Sequence, residues 1–282
     1  MSEVYTFPTL QTVRDQAVNE CLGGSLLYPT ALQDAALIRE LNVINSEFVN
    51  APYLRNYSGW KWMEEITNFQ SKAATTLNGA LTTSSTSIIL TSATDFDSSG
   101  RVWSETGNGA LDFMDYTGKS SNTLTGATGI DIAHASGDSV EKLYALPSNF
   151  GKSRTLYLNG SEYTFVDSSN YLIPPSGYYT TQGAYIFLPE NVGAQDATLR
   201  YMKKPTNVST GVIGTDLATS MDVPVRYARF AVERLKAYIY SITRHPDKQA
   251  TALQLAQGSL EEAFTYSFRQ TASPTARLSV TW

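Results

Sequence analysis

The chain has 282 residues, 42% of them hydrophobic and 17% charged, with a formal net charge of −5. This composition supports a buried core and excludes a disordered, collagen-like or coiled-coil chain, and the acidic balance argues against general affinity for nucleic acid. A single cysteine, Cys21, excludes an intrachain disulfide framework, and two histidines, His134 and His245, leave Cys–His metal sites poorly supplied.

The first residues, Met1 to Tyr5, lack the basic and then apolar pattern of a secretory signal, and nowhere do about 18 apolar residues run together. The expectation is a chain that is neither exported by that route nor membrane-spanning and that assembles in a reducing compartment. The length allows one large domain or two small ones. A division by insertion is favoured, because helical and strand-like patterns occupy different stretches.

In chain order, a first helix is predicted from near Thr9 to Gly23-Gly24, with Leu10, Val13, Ala17 and Cys21 at helical spacing. Thr30 and Gln33 form a capping box for a second helix over 31–50, with Leu37, Leu41, Ile44 and Phe48 on one face and Ala51-Pro52 as its end. From Tyr53 to Ala73 the pattern is mixed. Trp60 and Trp62 alternate as in a strand, whereas Met63, Ile66 and Phe69 suit a helix, and these aromatics read as core filling or a domain junction.

Between Ala74 and Asn207 the residues turn to Thr, Ser, Gly and Tyr in short alternating runs. Six strands are predicted, at 87–91, 111–116, 154–158, 163–166, 184–188 and 197–201, and Asn159-Gly160 signals a hairpin. Leu146 to Asn149 punctuates the region into two sub-blocks short enough to share one sheet core. Asp222 is then read as a helix cap with Pro224 in the first turn. Tyr227, Ala231, Leu235, Tyr238 and Ile242 line one face of that helix, and Arg226, Arg229, Glu233, Lys236, Tyr240 and Arg244 the other. A turn at Arg244 to Asp247 leads to a last helix carrying Leu253, Ala256, Leu260 and Phe264, which makes an antiparallel hairpin.

The expected fold class is α+β: a helical bundle built from N- and C-terminal helix pairs, with an inserted, mostly antiparallel β region. The parts are 1–73 (N-terminal helical part), 74–146 (inserted β module), 147–215 (second β segment), 216–270 (C-terminal helical hairpin) and 271–282 (extended arm). In that arm Leu278, Val280 and Trp282 alternate like a strand, so the segment is either a fraying terminus or an arm that docks on another subunit, with Pro274, Arg277, Leu278, Val280 and Trp282 as its candidate contacts.

The residues offer little catalytic chemistry. Gly118-Lys119-Ser120 and Gly151-Lys152-Ser153 echo a phosphate loop, but Phe113 and Leu146 stand where its earlier glycine belongs. Asp95 to Gly100 resembles the opening of a calcium loop, yet Thr106 stands at its closing position and Glu105 falls one place early, so a plain turn is preferred. Asp112 with Asp115, or Glu64 with Glu65, could be cast as glycosidase carboxylates, but nothing in the sequence places them across a cleft. No catalytic residue, metal or cofactor is expected. Between Arg200 and Lys248 nine Lys and Arg meet four acids, and Arg226, Arg229, Lys236 and Arg244 are candidates for a face toward an acidic partner or a DNA channel, against the plainer reading of a solvated helix face.

The run from Thr86 through Phe96-Asp97-Ser98-Ser99-Gly100-Arg101-Val102 and Asp115-Tyr116-Thr117-Gly118-Lys119-Ser120-Ser121-Asn122-Thr123-Leu124-Thr125-Gly126 to Ala133-His134-Ala135-Ser136-Gly137-Asp138-Ser139-Val140 resembles a small β module common in tailed-phage structural proteins. Helices before it, and Asp222-Val223-Pro224-Val225-Arg226-Tyr227-Ala228 opening a hairpin with Pro246-Asp247 at its turn, are similar to phage head-to-tail adaptors. The resemblance implies a structural virion protein at the head–tail junction, assembled in the host cytoplasm. It implies a dodecameric ring of this chain below a portal protein, with the tail reaching the portal, a tail or nozzle protein as further partner, genomic DNA passing without sequence specificity, and no membrane. The alternatives are another tail or baseplate component, or a glycan-binding or glycan-cleaving particle protein.

Overall fold

The computed structural model describes residues 5–23, 30–55, 57, 59–71, 74–167, 173–189, 195–208 and 212–271. The chain forms two compact units, one from Met1–Glu64 with Met202–Trp282, the other from Glu65–Tyr201.

The first unit holds the helices. Helix α1 (Leu10–Leu22) starts where Thr9, extended, accepts the Thr12 amide at 3.1 Å, and ends at Gly23, whose φ of 62° costs glycine little. Leu10, Val13 and Ala17 are buried as their spacing predicts. Helix α2 (Thr30–Leu54) does not stop at Pro52. Proline removes one helical donor, the one that would have reached the carbonyl of Phe48 four residues earlier. The indole N–H of Trp60 donates to that carbonyl at 2.7 Å, so the helix continues to Leu54 with the acceptor satisfied.

The segment around the two tryptophans is a 3₁₀ turn over Lys61–Met63 that leads into strand β1 (Glu64–Ser71). Both indoles are buried and stack at 4.9 Å, with Phe48 5.1 Å and Phe264 4.8 Å from Trp60. They fill the core of this unit. Aromatic side chains of this size each bury on the order of 150–250 Å², which is why a few of them can organise the helices of this unit.

Helix α3 (Ile213–Ala218) is short. A 3₁₀ turn at Val225–Tyr227 opens α4 (Ala228–Ile242), and α5 (Pro246–Thr271) returns against it. On α5 the buried seam is Ala252, Ala256, Leu260, Ala263 and Phe264, and Leu253 lies off it, exposed. Ile242, placed on the apolar face by its spacing, is also exposed, because α4 ends there. In the connecting turn the His245 amide bonds the Tyr240 carbonyl at 2.9 Å and Arg244 takes φ 60°, the left-handed position that glycine usually fills.

Arg244→Gly is therefore expected to raise the stability of this unit by about 0.5–1 kcal/mol. The left-handed conformation costs a non-glycine residue about 1–2 kcal/mol, of which the extra freedom of glycine in the unfolded chain takes back a part. Thermal unfolding measures it. A loss of stability would show that the Arg244 side chain makes a contact worth more than the strain.

The second unit is a β structure with strands β2 (Ala74–Thr76), β3 (Ser87–Ile89), β4 (Gly100–Glu105), β5 (Leu111–Tyr116), β6 (Gly118–Ser120), β7 (Thr123–Thr125), β8 (Ser139–Ala145), β9 (Phe150–Leu158), β10 (Ser161–Phe165), β11 (Tyr178–Gln182), β12 (Tyr185–Phe187) and β13 (Gln195–Lys203). Each of the six predicted strands falls on one of these. Asn159 and Gly160, at φ 47° and 80°, make the two-residue hairpin between β9 and β10, with Leu158 opposite Ser161.

The architecture departs from the expected one. The chain is not a helical bundle with a small β insertion: 32% of it is strand against 36% helix, and its largest element is a ten-stranded mixed sheet. The order is β1-β13-β9-β10-β11-β12-β8-β4-β5, with β2 also on β8, and β3-β7-β6 form a separate small sheet. The physical reason lies in β8. One edge of it pairs with β4, and the other pairs with β2 at Ser139 to Glu141 and with β12 at Tyr144 and Ala145. That strand fuses the two sub-blocks, and the parallel pairing of β10 with β11 makes the sheet mixed. Pairings between residues tens of positions apart leave no local turn signal.

Along β4 the faces separate. Val102 packs with Met114, Val140, Ile88 and Leu124 in one core, while its neighbour Trp103 packs with Leu143 and Phe187 in another. A third core gathers Leu156, Tyr179, Leu199 and Tyr201. Beside it the Tyr201 hydroxyl donates toward Glu65 and Asn149, each at 2.9 Å, and burial followed by the Glu65 carboxylate pushes the phenol up to about 12.

Candidate functional site

The four basic residues that the sequence places on and beside helix α4, Arg226, Arg229, Lys236 and Arg244, meet different surroundings. Lys236 is not offered to a partner. Its ammonium lies 2.9 Å from Glu20 of α1 and 3.0 Å from Glu233, whose side chain is only 2% exposed. Burial opposes the charge on Lys236, but its hydrogen bonds to Glu20 and Glu233 outweigh that and hold the ammonium above its ordinary value. Glu20 is lowered in turn, chiefly by the hydrogen bond from Lys236. The contact is an interhelical tie within the unit.

Arg226 and Arg229 remain available. The Arg226 guanidinium lies 3.8 Å over the ring of Tyr266, a cation–π contact that fixes its position, and Arg229, 67% exposed, reaches Glu233 at 3.4 Å. They line a 580 Å³ groove between α1 and the start of α4, with Thr12, Gln16 and Glu20 on the facing wall. Arg244 is exposed on the α4–α5 turn and does not line that groove. A larger groove of 1020 Å³ follows α2, where Ile38 and exposed Val43 face Val208 and Ile213.

Asp222 is not the helix cap that its place before Pro224 predicted. Pro224 precedes the 3₁₀ turn with no side-chain cap, and Asp222, 3% exposed, is the centre of a buried polar network. One carboxylate oxygen accepts the Asn45 amide at 2.8 Å and the Thr206 backbone N–H at 2.6 Å; the other accepts the Thr206 hydroxyl at 3.1 Å and lies 3.3 Å from Lys203. Asn45 accepts the Asp222 amide at 2.8 Å, and Asn42 brackets Val208 through both its N–H and its carbonyl. Two asparagines of α2 thereby clamp the chain where it returns to the helices.

The motifs set aside on sequence have structural tasks. The Lys119 ammonium donates to the carbonyls of Ala93 at 3.1 Å and of Phe96, and Lys142 reaches the Asp97 carboxylate at 2.7 Å. The turn that resembled a calcium loop thus faces two ammonium groups. Ser153 of the second Gly-Lys-Ser bonds the Tyr179 hydroxyl. Asp112 and Asp115, three apart on β5, point to opposite faces, Asp112 buried and Asp115 outward beside Arg101 at 3.6 Å, so they do not form a carboxylate pair.

A cluster missed by the sequence reading lies under β4 and β5. His134 Nε2 is 3.2 Å from Asp112 Oδ2, and its Nδ1 is 3.3 Å from Ser104 Oγ and 3.5 Å from Asp138 Oδ2. Serine, histidine and aspartate together suggest a hydrolase, but Ser104 is fully buried and its hydroxyl donates to the Ser139 carbonyl at 2.8 Å, so no substrate reaches it. A signal was present: along β5 Asp112 shares its face with Met114 and Tyr116, and an acid on an apolar strand face needs a partner.

No protein-family model matches the sequence, and no curated protein matches it. Among the described residues no group of three or more His, Cys, Asp or Glu could hold a metal ion, and no helix is long and apolar enough to cross a membrane. The candidate arm residues Pro274, Arg277, Leu278, Val280 and Trp282 lie outside the described residues.

Proposed function

We propose that this chain is a structural subunit of a tailed-phage particle, an adaptor that forms a ring between the portal of the head and the tail and lines the DNA channel. The observation that carries the reading is the stretch from Thr86 to Val140, whose residues resemble the β module of phage structural proteins. In support, that stretch, together with Leu77 and Leu81 before it, closes around an apolar core in which Ile88, Leu90, Leu124 and Val140 are buried. The helices on both flanks support the adaptor place in particular. A subunit repeated around a channel needs heterologous surfaces for its neighbours, and the two grooves of the helical unit are such surfaces. The role is structural, without a cofactor, and Ser104, His134 and Asp112 serve the fold.

The test is to mix the purified chain with the portal of the phage that encodes it and image the product. A ring seated on the portal is the expected result; no ring, together with incorporation elsewhere in the particle, overturns the adaptor reading. Arg226 and Arg229 give a finer check. Their double reversal to glutamate should impair assembly or genome retention, at a stability cost of about 1–2 kcal/mol because Arg226 gives up its contact with Tyr266 and a glutamate at 229 faces the buried Glu233 carboxylate. Unaltered particle yield and infectivity would remove them from the contact.

A further inference from the structure

We propose that the groove along α2 receives helix α5 of a second copy of the chain, with the two helices antiparallel. The inference deepens the adaptor reading by naming what fills that groove, and it rests on that reading only for the closure of such contacts into a ring.

On the receiving side, Arg39, Val43, Ser46 and Asn50 line the groove in steps of four, three and four residues. That alternation keeps a row of side chains on one line along a helix, the spacing at which a second helix seats against the first. Val43 is 56% exposed and Leu54, at the end of the same groove, 84% exposed, so apolar surface stands in water there until something covers it.

Helix α5 carries a matching outer row. Its buried seam faces its own unit, and on the outside Thr251, Leu255, Gly258, Glu262 and Thr265 are exposed in steps of four, three, four and three. The threonine hydroxyls bond carbonyls of their own helix, Thr251 to Asp247 at 3.0 Å and Thr265 to Glu261 at 2.9 Å, and need no water. Gly258 is the informative residue. Glycine inside an exposed helix is less favourable than alanine, and a Cβ at this position would meet nothing within 4 Å, so the fold of the single chain has no use for it. A neighbouring helix that approaches closely there has one.

Charge sets the direction. With Val43 seated over Gly258, the antiparallel register brings Arg39 against Glu262 and Ser46 against Leu255, whereas the parallel register would bring Arg39 against Gln254. Among the described residues neither Arg39 nor Glu262 has an ion-pair partner. Groove and helix lie on different surfaces of one chain, so each copy offers both halves of the contact. Contacts of that heterologous kind continue from copy to copy, which an isologous pair does not.

Oxidative cross-linking of the full chain tests the contact, with Cys21→Ser as background and Ser46→Cys plus Leu255→Cys added. Trapping by a disulfide records even a transient encounter. A ladder of linked multimers is expected from the double-cysteine chain, and monomers from either single-cysteine chain. Arg39→Glu should reduce the ladder about fivefold or more, and Glu262→Arg added to it should restore the ladder. Gly258→Leu should abolish the ladder while leaving the helical circular dichroism unchanged, because the single chain has room for the side chain. Monomers only from the double-cysteine chain, dimers from a single-cysteine chain, or a ladder indifferent to the charge changes would each overturn the proposal. A ladder from a chain that forms no ring on a portal would keep this contact and remove the adaptor place.

Discussion

Asp222→Ala is expected to destabilise the helical unit by about 3–5 kcal/mol, the cost of leaving buried charged and polar partners uncompensated. The substitution strips acceptors from the Asn45 amide, the Thr206 N–H and hydroxyl, and the Lys203 ammonium in one step. A lost helix cap would cost only about 1 kcal/mol, so the magnitude separates the two roles. Asp222→Asn separates them again. Asparagine caps a helix as well as aspartate does, but here the groups around both carboxylate oxygens are donors, and an amide NH₂ among them has no acceptor. Urea unfolding followed by tryptophan fluorescence reads this unit, because Trp60 and Trp62 lie in its core. The Ala variant should lose about 2 M of midpoint on a slope of about 2 kcal/mol per molar. An Asn variant as stable as the parent would restore the capping role.

Lys236→Met should cost about 2–3 kcal/mol. Its charge neutralises the buried carboxylate of Glu233, whose other cation, Arg229, lies at 3.4 Å and is largely in water. Breaking a buried pair from one side is costly, whereas removing both charges is often near neutral, so the double variant Lys236→Met with Glu233→Leu should recover most of the loss. The pH dependence has a defined sign. Hydrogen bonding from Lys236 lowers the Glu20 carboxyl, so its contribution is present above the usual glutamate value of 4.5 and fades as pH falls through the lowered one. The deficit of the single variant should therefore narrow in acid, by a modest amount because Glu20 is 40% exposed. A Lys236→Met chain as stable as the parent would mean that the lysine serves a surface role after all.

These two residues also show what was legible in the sequence. Local signals were reliable where the cause is local: Thr9 and Gly23 bound α1, Asn159-Gly160 turns β9 into β10, and the alternation of 111–116 gives β5 at its observed limits. They failed where the cause is distant. Pro52 stops a helix unless something else satisfies Phe48, and the Trp60 indole does so from outside the helix. Asp222 before a proline reads as a cap until Asn45, 177 residues away, claims it. The charged side of α4 reads as solvated until α1 supplies Glu20. The ten-stranded sheet was missed for the same reason, since β8 finds β4, β2 and β12 through pairings that no short window contains.

The surfaces that remain after these assignments are few. Arg226 and Arg229 at the α1–α4 groove keep their guanidinium groups at the surface, and the groove along α2 is open; on the proposed adaptor reading these are the places for contacts between copies of the chain. The polar networks around Asp222 and Lys236 tie together the elements of the helical unit that carries these surfaces.

Localisation of the chain within intact particles tests the central claim most directly. On the proposed adaptor reading, a small tag placed in the exposed loop at Gly107 and Asn108, labelled and imaged on purified particles assembled with the tagged chain, is expected to mark a single site per particle at the junction of head and tail. Label along the tail or at its tip would contradict the adaptor place, and particles free of label would contradict a structural role in the virion.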